Sequence, residues 1–257
     1  MASALVEGML RAGYCAPQDI LVINRHPEAL QAGTQKSGIR LAASTKALVQ
    51  ESDVIILGTK PTESLQLLRE VRQYLDSKLL ISVATGITLD RLQDSAGHRA
   101  RLVRAVPNTP SLVRHGATAY ALGDNATAND ATIVEKIFSA VGIAYRVREN
   151  SLDAVTGLSG SGPAYVFTFI EALADGGVMM GLPRDVAFDM AVQTVLGSAQ
   201  LLTHSGAEPE ALRDQVTSPK GTTFAGLERM KARDFRGLIK ETVLAATARS
   251  EELSKDS

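Results

Sequence analysis

A short polar loop late in the chain, Val216–Thr223, combines hydroxyl, glycine and proline residues between two segments with helical patterns. The first segment ends near Gln215, and the second begins near Thr222. A loop that leads into a helix presents free backbone N–H groups and the positive end of the helix dipole, which suit a carboxylate or a phosphate. On this chemistry alone, an anion site and an ordinary capped turn between helices are equally good interpretations.

A second group of polar residues follows segments whose apolar runs predict buried strands. Asn24 and Arg25 come directly after Ile20–Ile23, at the position that reads the ribose in a dinucleotide-binding domain. No acidic residue stands there to favour NAD, and the Arg25 guanidinium offers a bidentate fork for the phosphate of NADP, unless it is a solvated arginine at a strand end. Lys60 follows another predicted strand and precedes Pro61, which predicts a ligand-binding position at the carboxyl edge of the sheet rather than an ordinary surface lysine.

Taken together, the polar loop and five other segments resemble the pyrroline-5-carboxylate reductases, the enzymes that make proline. The matching segments run in family order from the first residues to about Lys240, and their combination is specific although each is weak alone. They are Thr59–Pro61, Ser82–Ile87, Arg104–Pro110, Thr156–Tyr165, Phe169–Gly177 and Val216–Thr223.

The resemblance implies roles for the residues of the polar loop. In that family the loop binds the substrate carboxylate, so Ser218, Gly221 and Thr222 would meet a carboxylate, largely through backbone N–H groups. Thr223 would hydrogen-bond the ring nitrogen, which makes it the predicted catalytic residue. Lys220 departs from the family pattern, because relatives usually carry glycine there. A lysine could attract the carboxylate, or it could crowd a left-handed backbone position.

The resemblance also implies the reaction: reduction of 1-pyrroline-5-carboxylate to L-proline, the last step of proline biosynthesis. Arg25 favours NADPH as the cofactor, with NADH as the alternative. A protonated cyclic imine needs positioning against the nicotinamide more than a strong general acid, which agrees with the lack of an evident acid–base pair in the sequence. The four histidines are scattered without metal-ligand spacing. The expected cofactor-binding residues are Asn24, Arg25, Thr59, Lys60, Pro61, Ala84, Thr85, Gly86 and Asn108.

The overall composition excludes several classes of partner. With 45% hydrophobic and 21% charged residues, the chain of 257 residues can form ordinary globular cores. A net charge of −1 gives no electrostatic case for nucleic acid or an anionic membrane surface. No apolar run approaches the roughly 20 residues that span a bilayer. The single cysteine, Cys15, cannot form an internal disulfide, and no targeting peptide is visible, so we expect a cytoplasmic enzyme.

The hydrophobic pattern predicts an α/β fold: a Rossmann-like NADP-binding domain over residues 1–149, followed by an all-α dimerisation and substrate domain over 150–257. Strands are expected at Ile20–Ile23, Asp53–Leu57, Leu79–Val83, Arg101–Val106 and Ala117–Leu122. Helices are expected at Glu63–Leu75 and Ala128–Val141, and then throughout the second domain at Gly162–Met180, Arg184–Thr203, Glu210–Gln215, Thr222–Lys231 and Arg236–Leu253.

A dinucleotide-binding domain should begin with a strand and a Gly-x-Gly-x-x-Gly turn. Here the chain opens on a helical pattern, Ala2–Arg11, and Met1-Ala2 matches the end of the family's glycine-rich turn. We therefore expect the first strand and its glycines upstream of Met1, either because Met1 is an internal methionine of a longer protein or because the truncation is real. In the second case NADPH should bind weakly or not at all, since the pyrophosphate site needs the backbone N–H groups of that turn.

Two other functions compete with proline synthesis. A β-hydroxyacid dehydrogenase shares the plan of a Rossmann domain plus helices but uses a lysine early in the helical domain, and no lysine occurs between Lys136 and Lys220. A truncated, catalytically impaired homologue could act only as an oligomeric or interaction module, although the retained Asn24, Arg25, Lys60 and Thr223 argue against this. The resemblance implies a homodimer with interleaved helical domains, and dimers of this family commonly build decamers.

Overall fold

The computed structural model describes residues 1–24 and 38–256. It divides into two compact units. Unit 1 comprises Met1–Ser161 and Ala245–Ser257, and unit 2 comprises Gly162–Leu244. The division into functional domains between residues 149 and 150 stays a prediction.

Strands and helices alternate through unit 1, as the sequence predicts. The strands are β1 Leu21–Val22, β2 Arg40–Leu41, β3 Val54–Leu57, β4 Leu79–Ser82, β5 Arg101–Val106, β6 Gly116–Leu122 and β7 Gly142–Arg146. The helices are α1 Ala2–Arg11, α2 Thr45–Glu51, α3 Pro61–Val71, α4 Leu89–Ala96, α5 Ala128–Ser139 and α6 Leu152–Val155, and a π-helical turn follows at Thr156–Gly160.

Five strands form one sheet in the order β3-β4-β5-β6-β7, and β1 and β2 form a separate parallel pair. Strands β3, β4 and β5 are parallel, so their carboxyl ends share one edge, where Leu57 pairs with Ser82 and Ser82 with Arg104. Strand β6 runs antiparallel to β5, and β7 runs parallel to β6. The Rossmann-like class predicted from the alternation is confirmed.

Both faces of the main sheet are covered, which explains why its central strands β4 and β5 are mostly apolar. On β4, Leu80 belongs to one buried cluster with Leu102, whereas Ile81 belongs to another with Val103 and Phe138. Side chains alternate between the two faces of a strand, so adjacent residues enter different cores.

Local capping residues explain several helix starts in unit 1. The Ser44 hydroxyl accepts a hydrogen bond from Ala47 N at the start of α2. Thr127 and Asp130 form a reciprocal capping box at the start of α5. Such caps satisfy backbone donors that have no partner within the helix. Pro61 opens α3, where its missing N–H costs nothing.

Unit 2 consists of helices, which confirms the predicted all-α half. They are α7 Gly162–Met179, α8 Arg184–Ser205, α9 Pro209–Gln215, α10 Thr222–Ala232 and α11 Phe235–Asp256, the last of which continues into unit 1. Helices α7 and α8 approach closely through small residues, because a Cβ at Gly177 would lie 3.2 Å from the Ala187 Cβ. Buried apolar side chains within residues 162–244 are limited to Ala174, Ala187 and Ala191, so this unit leaves most of its large apolar side chains exposed.

Candidate active-site residues

The predicted substrate loop is a tight turn in unit 2. Gly221 N donates a hydrogen bond to Ser218 O at 3.0 Å. Pro219 occupies the second position, and Lys220 at the third has φ +61°. This combination is that of a type II β-turn, whose third position normally takes glycine. Lys220 therefore occupies a left-handed backbone conformation, one of the two possibilities considered for it from the sequence.

Gly221 is required for space rather than for an unusual backbone angle, since its φ is −76°. A Cβ at residue 221 would overlap the Ser218 Oγ and would lie 3.1 Å from the Ser218 carbonyl oxygen. The turn is also tied to the preceding helix α9, because the Thr217 Oγ1 donates to Arg213 O at 2.7 Å. These contacts hold Ser218 and Gly221 together as one rigid feature.

Helix α10 begins directly after this turn, with Gly221 as its N-cap and no side chain bonded to the cap position. The first backbone donors of a helix have no partner within the helix, so those of Thr222 and Thr223 stay available. Both threonines are exposed. In the part of the chain that the structure describes, the Thr223 hydroxyl makes no hydrogen bond. The fold thus brings all four predicted substrate residues into one turn and helix start: Ser218, Gly221, Thr222 and Thr223.

The predicted cofactor residues after β3, β4 and β5 lie in unit 1 at the shared carboxyl edge of the parallel strands. The first of them, Thr59–Pro61, forms the turn between β3 and α3. Lys60 is exposed at the N-cap of α3 and has no ion-pair partner within residues 1–24 and 38–256. A free ammonium at this edge suits an anionic nucleotide.

Ser64, which the sequence analysis missed, holds this turn from inside. Its side chain is completely buried. The Ser64 Oγ lies 2.8 Å from the Thr59 Oγ1, 3.0 Å from Lys60 O and 3.2 Å from Thr59 O. A serine four residues into a helix could have been suspected from its spacing to the turn, because a hydroxyl there can reach back one helical turn.

The turn after β4 contains Ala84, Thr85 and Gly86. Ala84 is buried, and its N–H lies 3.4 Å from the Ser82 Oγ. Thr85 is exposed. Gly86 has φ +81°, a conformation that other residues rarely adopt, so the glycine sets the direction of this turn.

Asn108, the predicted cofactor residue after β5, uses its side chain within unit 1. Its Nδ2 donates to Ser159 O at 3.0 Å, and its Oδ1 accepts from Ala117 N at 2.8 Å. The side chain therefore bridges the loop after β5, strand β6 and the π-helical turn, a kind of turn that is frequent at functional sites. One N–H and one lone pair remain for a ligand.

A buried arginine that the sequence analysis quoted without a role stands just before this loop. Arg104 is 3% exposed. Its guanidinium lies 3.1 Å from the Glu149 Oε1 and 3.8 Å from the Asp153 Oδ1. Glu149 also accepts from Leu89 N at the start of α4, and Asp153 accepts from the Ser250 hydroxyl. The network joins the central strand to three helices of unit 1.

Two further predictions concern residues after β1. Asn24 is exposed, and Ile23 separates it from the end of β1, which is shorter than the strand predicted from the sequence. Arg25, the residue expected to distinguish NADPH from NADH, lies outside the described residues, so its role stays a prediction.

The remaining chemistry-bearing groups do not suggest another site. Burial, and secondarily the Asp19 carboxylate, raise the pKa of the Cys15 thiol, which disfavours the reactive thiolate. Burial likewise raises the pKa of Tyr120, together with the nearby Glu135 carboxylate. Across residues 1–24 and 38–256, no group of histidine, cysteine and acidic side chains could hold a metal ion. Within the same ranges, no helix has the length and apolar character needed to cross a membrane.

Comparison with known proteins connects both units to one family. Residues 149–253 match the family model described as pyrroline-5-carboxylate reductase dimerisation, and residues 1–86 match that described as NADP oxidoreductase coenzyme F420-dependent. The pyrroline-5-carboxylate reductase of Pisum sativum is 42% identical over 255 residues, which cover 99% of this chain and 93% of the relative.

Two solved structures show the same similarity. The pyrroline-5-carboxylate reductase of Coxiella burnetii superposes with a TM-score of 0.94 at 34% identity and covers 98% of this chain and 94% of its own. The pyrroline carboxylate reductase of Plasmodium falciparum, solved with NADP bound, superposes with a TM-score of 0.85 at 30% identity and the same two coverages. On these grounds the chain belongs to the pyrroline-5-carboxylate reductase family.

Proposed function

We propose that this protein reduces 1-pyrroline-5-carboxylate to L-proline with NADPH, the last step of proline biosynthesis. The observation that carries the proposal is the turn Ser218–Gly221 leading into the uncapped start of α10, in a chain 42% identical to a named reductase of this kind. Backbone donors lie there beside the exposed Thr223 hydroxyl, as a small anionic imine requires.

The carboxyl edge of β3, β4 and β5 has the chemistry that NADPH needs. It presents the Lys60 ammonium, which has no ion-pair partner among the described residues, the hydroxyls of Thr59 and Thr85, and a tight turn at Gly86. Cations and hydroxyls suit the phosphates and ribose hydroxyls of a dinucleotide, and a relative from Plasmodium falciparum was solved with NADP bound. Lys60 would hold a phosphate, and bound NADPH would supply the hydride that converts the C=N bond into a secondary amine.

The substrate residues have separate tasks in this proposal. The backbone N–H groups near Ser218, Gly221 and Thr222 hold the carboxylate, with support from the dipole of α10. The Thr223 hydroxyl accepts a hydrogen bond from the N–H of the protonated ring nitrogen and so orients the imine. Because the iminium carbon is already electrophilic, orientation is the main catalytic task of the protein.

We also propose that unit 2 forms a homodimer. Many large apolar side chains of its helices are exposed, including Phe167 at 64%, Met179 at 85% and Met180 at 86%. Exposed apolar surface on this scale marks an interaction site, and the family model over residues 149–253 is a dimerisation model. Sedimentation of the purified protein should give a dimer or a multiple of it, with the decamer implied by family resemblance as the larger assembly. We further propose a reducing, cytoplasmic compartment, since a single cysteine cannot form an internal disulfide.

The decisive experiment is a turnover assay with 1-pyrroline-5-carboxylate, in which NADPH oxidation and proline formation are both measured. Equimolar loss of NADPH and gain of proline would support the proposal. Oxidation of a 3-hydroxy acid with NADP, without proline formation, would favour a β-hydroxyacid dehydrogenase. A stable oligomer that binds no NADPH would favour an interaction module, and either result would overturn the proposal.

A further inference from the structure

Three oxygen atoms surround the hydroxyl of Ser64 at the turn between β3 and α3. The Thr59 Oγ1 is 2.8 Å away, Lys60 O is 3.0 Å away and Thr59 O is 3.2 Å away. Ser64 is fully buried, whereas Thr59 is partly exposed at the carboxyl edge of the sheet. The buried hydroxyl thus connects an accessible side chain to two backbone carbonyls.

The number of protons available determines which oxygen donates in the hydrogen bond between Thr59 and Ser64. A serine hydroxyl has one proton and two lone pairs, and a carbonyl oxygen can only accept. If Ser64 donates to a carbonyl, its lone pairs can accept from the Thr59 hydroxyl. Ser64 then makes a hydrogen bond to a backbone carbonyl and another with the Thr59 side chain. If Ser64 instead donated to Thr59, both carbonyl contacts would be lost. Because Ser64 has no access to water, the first arrangement is strongly favoured.

Because the Thr59 hydroxyl donates to Ser64, only its lone pair is left to bind a ligand. Its single proton points inward to Ser64, so its outward lone pair can only accept. We propose that Ser64 is a positioning residue that fixes the Thr59 hydroxyl as a hydrogen-bond acceptor toward bound NADPH, whose ribose hydroxyls and amide group are donors. The inference rests on the proposed function, because it assigns NADPH to this edge.

A double-mutant cycle with direct measurement of NADPH binding tests the inference. Each of Ser64→Ala and Thr59→Val should raise the dissociation constant of NADPH about threefold to tenfold, the scale of one oriented hydrogen bond. If Ser64 acts through Thr59, the double variant should bind no more weakly than Thr59→Val alone. Thr62→Ala is the matched control, because Thr62 carries an exposed hydroxyl at the start of α3 and takes no part in these hydrogen bonds.

Binding should be followed by quenching or transfer of NADPH fluorescence, with thermal melting of each variant measured in parallel. Ser64→Cys serves as a second variant that keeps a side-chain donor at this position but donates a weaker hydrogen bond, and its affinity should fall between those of the wild type and Ser64→Ala. The inference would be overturned if the double variant raised the NADPH dissociation constant by the product of the two single effects, or if Ser64→Ala left the affinity unchanged. Normal turnover by the wild-type protein would still support the proposed function in either case. A wild-type protein that does not bind NADPH would overturn both.

Discussion

Gly221 packs against Ser218 so closely that a side chain at residue 221 would overlap the Ser218 hydroxyl oxygen. The same two residues are joined by the hydrogen bond from Gly221 N to Ser218 O. Their contact therefore sets both the shape of the turn at Ser218–Gly221 and the direction of the Ser218 side chain.

Gly221→Ala should disturb this turn. We expect the Michaelis constant for 1-pyrroline-5-carboxylate to rise about tenfold or more, because Ser218 must turn away and its carbonyl must shift. Loss of the glycine N-cap should also cost about 1 kcal/mol of unfolding free energy. Gly226→Ala is the control within α10, since a Cβ there meets nothing within 4 Å. Equal Michaelis constants for the two variants would contradict the proposed role of the turn.

Lys220→Gly should stabilise the protein, because residue 220 has φ +61°, which glycine adopts without strain. We expect a gain of about 1 kcal/mol in the free energy of unfolding, measured by urea denaturation. If the exposed ammonium attracts the substrate carboxylate, the Michaelis constant should rise a few-fold at low salt. The matched substrate is 1-pyrroline, which lacks the carboxylate, and an equal rise with 1-pyrroline would rule out the charge effect.

Thr223→Ala should lower kcat/KM about tenfold or more while Thr223→Ser keeps most of the activity. The N-cap of α10 is Gly221, with no side chain bonded to it, so the alanine change should leave the melting temperature nearly unaltered. A variant that melts earlier yet turns over normally per folded molecule would show that Thr223 acts on stability and not on the substrate.

Arg104→Met should destabilise unit 1 by about 2 to 4 kcal/mol, because it leaves the Glu149 and Asp153 carboxylates without their buried cation. Arg99→Ala removes a comparable charge whose partner, Asp76, is largely exposed, and it should cost under about 1 kcal/mol. Urea denaturation of both variants measures the difference. Similar losses in the two proteins would mean that the buried network contributes little.

Arg25→Ala should raise the Michaelis constant for NADPH about tenfold, the scale of one lost charge-assisted contact, and leave that for NADH nearly unchanged. The expectation comes from the sequence position after β1. Steady-state kinetics with both cofactors measure it, and an unchanged preference between NADPH and NADH would refute this assignment.

Most elements could be predicted because their signals are local. The alternation of apolar runs located β3 to β6, and helical periodicity with glycine and proline at the ends located α7 to α11. Strand β7 was missed because it is a mostly exposed strand whose Ile143 and Tyr145 remain 55% and 64% exposed, so it lacks a buried apolar run. Strand β2 has only two residues, too few for any periodic pattern.

By itself, the amino-acid sequence determined the α/β plan, the family and the residue types of the turn at Ser218–Gly221, since each depends on residues that are neighbours in the chain. Only the tertiary structure decided which buried polar groups meet. Arg104 pairs with Glu149 across 45 positions, and Asn108 reaches Ser159 across 51. A buried polar group needs a hydrogen-bond partner. The packing of segments that are distant in the chain determines which residue that partner is, and no local sequence pattern specifies it.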